Sequence, residues 1–470
     1  MSKISNQTIG KNILRSLFAQ VISLTTSMVI NLIIPKFINS YQYVFWQTYV
    51  LYASYMGIMH FGLLDGIVLR YSKYDYPELD KRKLSANFWI LLVMLVVFGS
   101  IGIIIGILFF KQIEEKIIFI LVSVSLVTKN LFMFSSNSFQ ITNRINEYTS
   151  LIIRQRLIYG FLATLLIFFK VEYFFWFCLI DIIADLLSFL STFSANNKIY
   201  WYYKKNLAKN IGEVIVNIKS GMSLMVANFS SNFLVGSAKV YIQSYWNPLI
   251  FGQVSFGFSI TNLFLTFITA ISVVFFPSLK RLPEEMLSKF YLKIRDMMTP
   301  ILLFALWLYY PGCLLLSKWL PTYQQSLNFA GILLPIIIYS TRMSLLTNNY
   351  FKAFRFEKKL LFINLSTMFL EIVGLFGIHI LLKNVEAVMI WTIIVTMIKS
   401  IWSELLISRF LNLNLYVDII FEIIVVVLFI LTNLTLSFFY AFIFYSFLLI
   451  IFLIFTRQKL RSSISLLRKF

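Results

Sequence analysis

Basic side chains stand inside several long apolar stretches of this sequence, where they could bind an anion. Lys129, Lys239 and Arg342 interrupt runs of aliphatic and aromatic residues, and Arg70 closes another such run. A lysine or arginine at the centre of a bilayer costs at least about 2.5–3.5 kcal/mol, so it is kept where it meets water, a partner or a ligand. We therefore expect these four cations to face a central cavity and to bind an anionic substrate.

Acidic side chains occur in the same stretches. Asp181 and Asp185 are four residues apart, which places both carboxylates on one face of a helix. Carboxylates in a membrane are candidates for coupling to H+ or Na+, and they are equally candidates for pairing with the buried cations. Residues assigned to one or the other role are Asp65, Asp181, Asp185, Glu371, Lys399 and Glu404.

Neutral polar residues form stripes along some of these helices. Gln20 and Asn31 share a face of the first apolar helix, Asn228 lies on its proposed counterpart, and Asn349 is seven residues after Arg342. We expect these four side chains to line the cavity. Hydrogen bonding between helices, common for such residues in membrane bundles, is the alternative.

No enzymatic pattern accompanies these charges. The sequence has no P-loop, no zinc-ligand spacing and no G-x-S-x-G motif, and Cys178 and Cys313 fall inside apolar segments. We expect a transporter rather than an enzyme, with no cofactor beyond H+ or Na+ as the coupling ion. Work must then come from an ion gradient, the membrane potential or the substrate gradient.

The elements that carry these residues are apolar helices. Hydrophobic residues make up 59% of the 470 residues and charged ones only 13%, against about 25% charged in soluble domains. The apolar blocks are roughly twenty residues long, the length that crosses a bilayer as a helix. An all-α integral membrane protein with about fourteen transmembrane helices is predicted. The expected spans are 13–35, 43–68, 86–110, 117–138, 150–169, 173–195, 218–242, 250–277, 298–316, 327–350, 360–382, 386–407, 417–437 and 438–456.

The basic residues indicate the orientation of these spans. Most lie in the N-terminus, in the loops after even-numbered spans and in the C-terminal tail, while the opposite loops contain only Lys36, Lys111, Lys116, Lys170, Lys318 and Lys383. The positive-inside rule places both termini in the cytoplasm. Because the net charge of +21 is spread over loops, nucleic acid is not an expected partner.

The chain divides into two similar halves. Spans 1–2 and 7–8 are weakly alike, since Ile38-Asn-Ser-Tyr41 is echoed by Ile242-Gln-Ser-Tyr245. We expect six-helix bundles at 1–195 and 218–407 joined by a cytoplasmic linker loop at 196–217. Two additional helices at 417–456 and a basic cytoplasmic tail at 457–470 follow.

Several motifs resemble the polysaccharide-transport, or Wzx-type O-antigen flippase, family of the multidrug/oligosaccharidyl-lipid/polysaccharide (MOP) superfamily. They are GMSLMVANFSSN from Gly221, FGQVSF from Phe251, VVFFPSLKR from Val273, FGLLDG from Phe61, and Trp319-Leu-Pro321-x-Tyr323. The resemblance implies a MATE-like fold, with two six-helix bundles around a central cavity and two extra C-terminal helices.

The resemblance also implies a function. Family members move undecaprenyl-diphosphate-linked oligosaccharide, of O-antigen or capsule type, from the cytoplasmic to the periplasmic leaflet of a bacterial inner membrane by alternating access. Cavity cations are expected in this family, and Lys129, Lys239 and Arg342 match that expectation. The bilayer and the polymerase and chain-length proteins of the same pathway are the implied partners.

Three other functions stay open at this point. A multidrug or cation antiporter of the same fold would line its cavity with carboxylates and aromatic residues. A membrane glycan polymerase or ligase usually has a large periplasmic loop, whereas the expected periplasmic segments are short. A non-transporting assembly partner is the third.

Overall fold

The structure is a computed structural model that describes residues 21–72, 74, 76–201, 210–279 and 284–467. Within these ranges every regular element is a helix, which confirms the predicted all-α class. The helices are α1 (Val21–Phe37), α2 (Ser40–Tyr55), α3 (Leu63–Tyr71), α4 (Lys81–Phe109), α5 (Ile113–Ile141), α6 (Ile145–Phe168), α7 (Phe174–Leu190), α8 (Phe193–Tyr200), α9 (Ile211–Tyr245), α10 (Pro248–Leu279), α11 (Glu284–Trp307), α12 (Tyr309–Trp319), α13 (Gln324–Leu333), α14 (Ile336–Thr341), α15 (Asn348–Ala353), α16 (Glu357–Leu381), α17 (Val385–Phe410), α18 (Tyr416–Thr435) and α19 (Phe438–Leu467).

Nine segments of the described chain are long and apolar enough to cross a membrane, and three bent helix pairs raise the number to twelve. Two further predicted spans are helical where they are described: residues 21–35 of the span at 13–35 fall on α1, and the span at 218–242 falls on α9, while residues 13–20 lie outside the described chain. The chain is thus a multi-pass membrane protein, while the count of fourteen spans stays a prediction.

Three predicted spans are broken rather than straight. The span at 43–68 bends by 55° between α2 and α3, where Phe61 and Gly62 both have positive φ angles. The span at 173–195 bends by 70° between α7 and α8, and the one at 327–350 bends by 52° next to Pro335. In the first and third spans, left-handed residues or a proline end the helix locally, which hydropathy over a window of twenty residues does not detect. The bend at Ser191 and Thr192 has neither feature.

Two helix boundaries differ clearly from the prediction. The span predicted at 298–316 begins at Glu284, since α11 contains four polar turns before its apolar part. The loop predicted at 196–217 is helical at both described ends, because α8 continues to Tyr200 and α9 begins at Ile211. Charged residues lowered the hydropathy of these segments, but their side chains find partners in the fold.

The chain forms two compact units, Met1–Asn232 and Phe233–Phe470, and the boundary between them lies inside α9. In the first unit, Phe88, Phe134, Phe189 and Tyr200 pack as an aromatic core between α4, α5, α7 and α8. The first half of α9 also belongs to this unit. The predicted boundaries of the two six-helix bundles therefore stay a prediction.

In the second unit, the hairpin of α18 and α19 packs against α11. Tyr445 donates a hydrogen bond to the carbonyl of Leu303 at 3.0 Å, and the Trp307 indole donates to Ser446 Oγ at 2.9 Å. Helix α19 continues through the described part of the predicted tail, where Lys459 pairs with Asp418 at 2.5 Å. The two C-terminal helices are thus attached to this unit by side-chain contacts.

Helices α3 and α9 cross with their backbones in contact. A Cβ atom added to Gly66 would lie 1.8 Å from the carbonyl oxygen of Asn217, and one added to Gly221 would lie 2.0 Å from that of Gly62. Only glycine permits such an approach, as in the G-x-x-x-G contacts of membrane helices. This seam of Gly62, Gly66 and Gly221 holds the first turns of α9 on α3.

Candidate functional site

Lys129 lies between two carboxylates in the first unit. Its Nζ is 2.8 Å from Asp181 Oδ2 and 3.5 Å from Asp185 Oδ2. Tyr49 donates a hydrogen bond to Asp181 at 2.9 Å, and Gln155 donates to Asp185 at 3.0 Å. The four helices α2, α5, α6 and α7 thus converge on this cluster.

The Lys129 cluster has one more carboxylate than ammonium group. The spacing predicted that Asp181 and Asp185 share a face, and both indeed point at the same cation. The Lys129 side chain is 28% exposed and that of Asp181 21%, while Asp185 is buried. A site with two carboxylates and one lysine is suited to take up one further H+ or monovalent cation.

Arg342 lies in a buried network of four charged residues in the second unit, which we call the charge quartet. It consists of Arg295 on α11, Arg342 after α14, Glu404 on α17 and Glu422 on α18. Arg295 Nε is 2.6 Å from Glu404 Oε1, Arg342 Nη1 is 3.2 Å from Glu404 Oε2, and Arg342 Nη2 contacts Glu422. All four side chains are at most 3% exposed.

The local backbone contributes to the position of Arg342. Residues Arg342–Thr347 form a π-helical turn between α14 and α15, and Thr299 accepts a further bond from the Arg342 guanidinium at 3.4 Å. π-Turns occur often at functional sites because they redirect side chains. Here Arg342 is neutralised by carboxylates, so its role as a substrate cation stays a prediction.

Sequence reasoning missed two members of the charge quartet. Arg295 was assigned to a cytoplasmic loop because the predicted span began at 298, and Glu422 was not singled out. Glu422 was detectable, since it is a carboxylate inside the otherwise apolar segment IIFEIIVVV, which begins at Ile419. Glu404, a candidate for ion coupling or charge pairing, lies between Arg295 and Arg342.

Lys239 is a buried cation with no carboxylate within ion-pair distance among the described side chains. Only 8% of it is exposed, and its ammonium group lies 5.4 Å from the centre of the Phe258 ring. A cation over an aromatic face gains about 0.5–2 kcal/mol, less than the cost of burying an ammonium ion. Lys239 is therefore suited to bind an anion.

Glu371 is a buried carboxylate in the second unit, the acidic counterpart of the buried Lys239. Thr392 donates to its Oε1 at 2.8 Å, while Oε2 is buried without a hydrogen-bond partner in the described structure. Such a carboxylate is expected to carry a proton or to hold a cation. Lys399 is buried on α17, seven residues after Thr392.

Arg70 ends α3 and faces an open cavity. Its Nη1 is 2.8 Å from Glu213 Oε1 on α9, and it also donates to the side-chain oxygen of Asn217. Asp65 lies on the same helix as Arg70, and its Oδ2 is 3.8 Å from Nε2 of His60. Arg70, one of the four predicted substrate cations, thus lines a cavity in the described chain.

The predicted polar stripes have different surroundings. Asn31 and Asn349 donate to carbonyl groups of their own helices at 2.8 and 2.7 Å, and Asn228 is exposed. Gln20 lies outside the described residues. The cavity-lining role of these four residues stays a prediction.

Comparison with solved structures shows the fold. The lipid II flippase MurJ in an inward-closed conformation matches with a TM-score of 0.65 over 95% of this chain and 98% of that one, at 14% identity. An inward-facing multidrug resistance MATE transporter of the MOP superfamily matches with a TM-score of 0.60 over 84% and 99% of the two chains, at 14% identity. A MATE transporter in complex with MaL6 has a TM-score of 0.55 over 86% and 97%, at 12% identity.

The chain has the fold of these transporters. The MATE-like architecture expected from the resemblance is thereby confirmed. No family model and no curated protein matches this sequence, so the Wzx family itself stays a prediction.

Proposed function

We propose that this protein is a flippase for lipid-linked oligosaccharide. It would move undecaprenyl-diphosphate-linked repeat units, of O-antigen or capsule type, from the cytoplasmic to the periplasmic leaflet of a bacterial inner membrane. The fold supports this proposal because it is also that of a lipid II flippase. The Wzx-type motifs described above support the substrate class.

The observation that carries the proposal is the uncompensated charge of Lys239. Arg342 and Lys129 are already neutralised by carboxylates, whereas no described carboxylate lies within ion-pair distance of Lys239. A diphosphate supplies the missing negative charge through charge-assisted hydrogen bonds. The very long apolar tail of the substrate can stay in the lipid while only the headgroup meets this cation.

The Lys129 cluster is our candidate for ion coupling. Uptake of one H+ would neutralise the carboxylate in excess, and release of the H+ would restore the negative charge. The protonated and deprotonated clusters therefore differ by one charge. Such a change can bias an equilibrium between two conformations of a transporter. Glu371 is the second candidate, and Na+ is the alternative ion at either site.

The lipid-linked oligosaccharide pool of host cells that lack this protein provides the first test. We expect undecaprenyl-linked repeat units to accumulate on the cytoplasmic leaflet and surface glycan to disappear. The wild-type gene should restore glycan, and Lys239→Gln should not. Lys219→Gln changes an exposed lysine on the same helix and should restore it fully.

A cation antiporter is the second candidate, because the Lys129 cluster has an excess of negative charge and MATE transporters share the fold. The same deletion strain distinguishes the two. Normal surface glycan together with sensitivity to cationic drugs would refute the flippase proposal and favour drug export.

A further inference from the structure

A cavity of about 570 Å³ opens where α3 ends and α9 begins. Charged and aromatic side chains form its wall, namely Arg70, Tyr71, Tyr74, Glu78, Lys83 and Glu213. These residues belong to the side of the chain that the positive-inside rule places in the cytoplasm. With this orientation, the cavity is on the side from which a substrate of the cytoplasmic leaflet approaches.

Glu213 occupies the centre of the basic part of this cavity. Its Oε1 is 2.8 Å from Arg70 Nη1, its Oε2 is 3.8 Å from Lys83 Nζ, and Tyr71 donates to it at 2.8 Å. Two cations and a hydroxyl group thus converge on one carboxylate. This is also the set of donors that binds a phosphate oxygen.

The other two carboxylates of the cavity are not part of this arrangement. Asp80 caps α4 by accepting from the backbone N–H groups of Arg82 and Lys83 at 3.1 and 3.3 Å. Glu78 is exposed, and no described cation lies within ion-pair distance of it. Only Glu213 therefore competes directly with an incoming anion for Arg70 and Lys83.

The residues that follow Glu213 on α9 also contact α3 and α4. One turn further along this helix, Asn217 accepts from Arg70 and donates to Asn87 at 2.9 Å, and Asn217 is fully buried. The seam of Gly62, Gly66 and Gly221 follows directly. The ion pair between Arg70 and Glu213 thus adds a charged contact at the end of the α3–α9 interface. The glycines of this interface contribute no side chains.

We infer that Glu213 is an internal counter-anion that occupies a diphosphate site formed by Arg70 and Lys83 and latches α9 onto α3. A diphosphate carries more negative charge than one carboxylate and offers oxygens to both cations, so it displaces Glu213. The first turns of α9 then lose their charged contact with α3. The inference rests on the proposed function, because it assigns the site that recognises the diphosphate on the cytoplasmic side.

Binding of farnesyl diphosphate to the purified full-length protein in detergent tests the site. Glu213→Gln removes the competing charge, and its dissociation constant is expected to be about tenfold lower than that of the wild type. Arg70→Gln is expected to bind at least about tenfold more weakly. Glu78→Gln is the matched control, a carboxylate of the same cavity outside the ion pair, and should bind as the wild type does.

Hydrogen exchange of residues 211–221 tests the latch in the same samples. Farnesyl diphosphate should accelerate exchange in the wild type, and Glu213→Gln should exchange rapidly without ligand. Equal affinities of Glu213→Gln and Glu78→Gln would overturn the competition, and unchanged exchange would overturn the latch. Either result leaves the proposed function intact if deletion cells still accumulate the lipid-linked pool, whereas a normal pool refutes the function independently.

Discussion

Removing the charge of Lys129 and removing the charge of Asp185 leave the cluster with different charge balances. Without Lys129, two carboxylates face each other with no cation, whereas without the charge of Asp185 one lysine and one aspartate remain balanced. The asymmetry follows from the excess of one carboxylate in this cluster. An excess carboxylate is the property that our proposal of ion coupling at this cluster requires.

We expect Lys129→Gln to lower the free energy of unfolding by about 1.5–3 kcal/mol, since it leaves charged acceptors without their donor. Asp185→Asn should have a much smaller effect. Thermal unfolding of the two variants in detergent measures the difference. Equal decreases in the stability of the two variants would contradict the assignment of an excess carboxylate.

Lys239 presents the opposite case, a cation whose compensation is expected from a ligand. Lys239→Met removes an uncompensated buried charge and keeps the length of the side chain. We expect this variant to have a higher melting temperature than the wild type and to lose glycan export. Lys219→Met on the same helix, where the lysine is exposed, should change neither quantity. A lower melting temperature for Lys239→Met would argue that Lys239 has a structural role.

At the scale of elements, the seam between α3 and α9 depends on the absence of side chains. Gly66→Ala and Gly221→Ala place a Cβ within 2.0 Å of a backbone oxygen of the other helix, so the two helices must separate. We expect each variant to exchange faster over residues 211–221 and to unfold at a lower temperature. Gly212→Ala is the control on the same helix, because no heavy atom lies within 4 Å of its added Cβ. If Gly66→Ala exchanged hydrogen over residues 211–221 at the wild-type rate, the backbones of the two helices would not be in tight contact at this seam.

The charge quartet connects α18 to three other helices of its unit. Glu422→Gln leaves Arg342 without one of its carboxylates in a site that excludes water, and such a loss costs about 3–5 kcal/mol. One turn earlier on α18, Asp418→Asn removes an exposed pair with Lys459, which is worth about 0–1 kcal/mol. Chemical unfolding of both variants should show this contrast, and similar small losses would mean that the quartet contributes little.

At the scale of the whole molecule, the distribution of basic residues predicts the orientation in the membrane. Lys383 lies in a predicted periplasmic loop and Lys358 near a predicted cytoplasmic end, and both are exposed. We expect a membrane-impermeant thiol reagent to label Lys383→Cys in intact cells and to label Lys358→Cys only after lysis. The two native cysteines are buried and serve as the internal background. The reverse labelling pattern would contradict the positive-inside assignment.

Much of the fold was predictable because membrane insertion constrains composition strongly. Each predicted span falls on helical residues in the described chain, since a bilayer demands about twenty apolar residues per crossing. The bends next to Gly62, Thr192 and Pro335 were not predicted, because they interrupt a helix over two or three residues only. The early start of α11 was missed because its first turns contain charged residues, among them Arg295, which pairs with Glu404 of α17.

The sequence by itself determined the class of the protein, the approximate positions of its helices and which buried charges needed an explanation. These properties depend on the composition of single segments, because a charge near the middle of an apolar span is costly wherever the span packs. Only the tertiary structure decided which charges are paired. Arg342 meets Glu404 and Glu422, which follow it by 62 and 80 residues, and Lys129 meets Asp181 after 52. Such contacts depend on how helices pack, so Lys239 and Arg342 look alike in the sequence and differ in the fold.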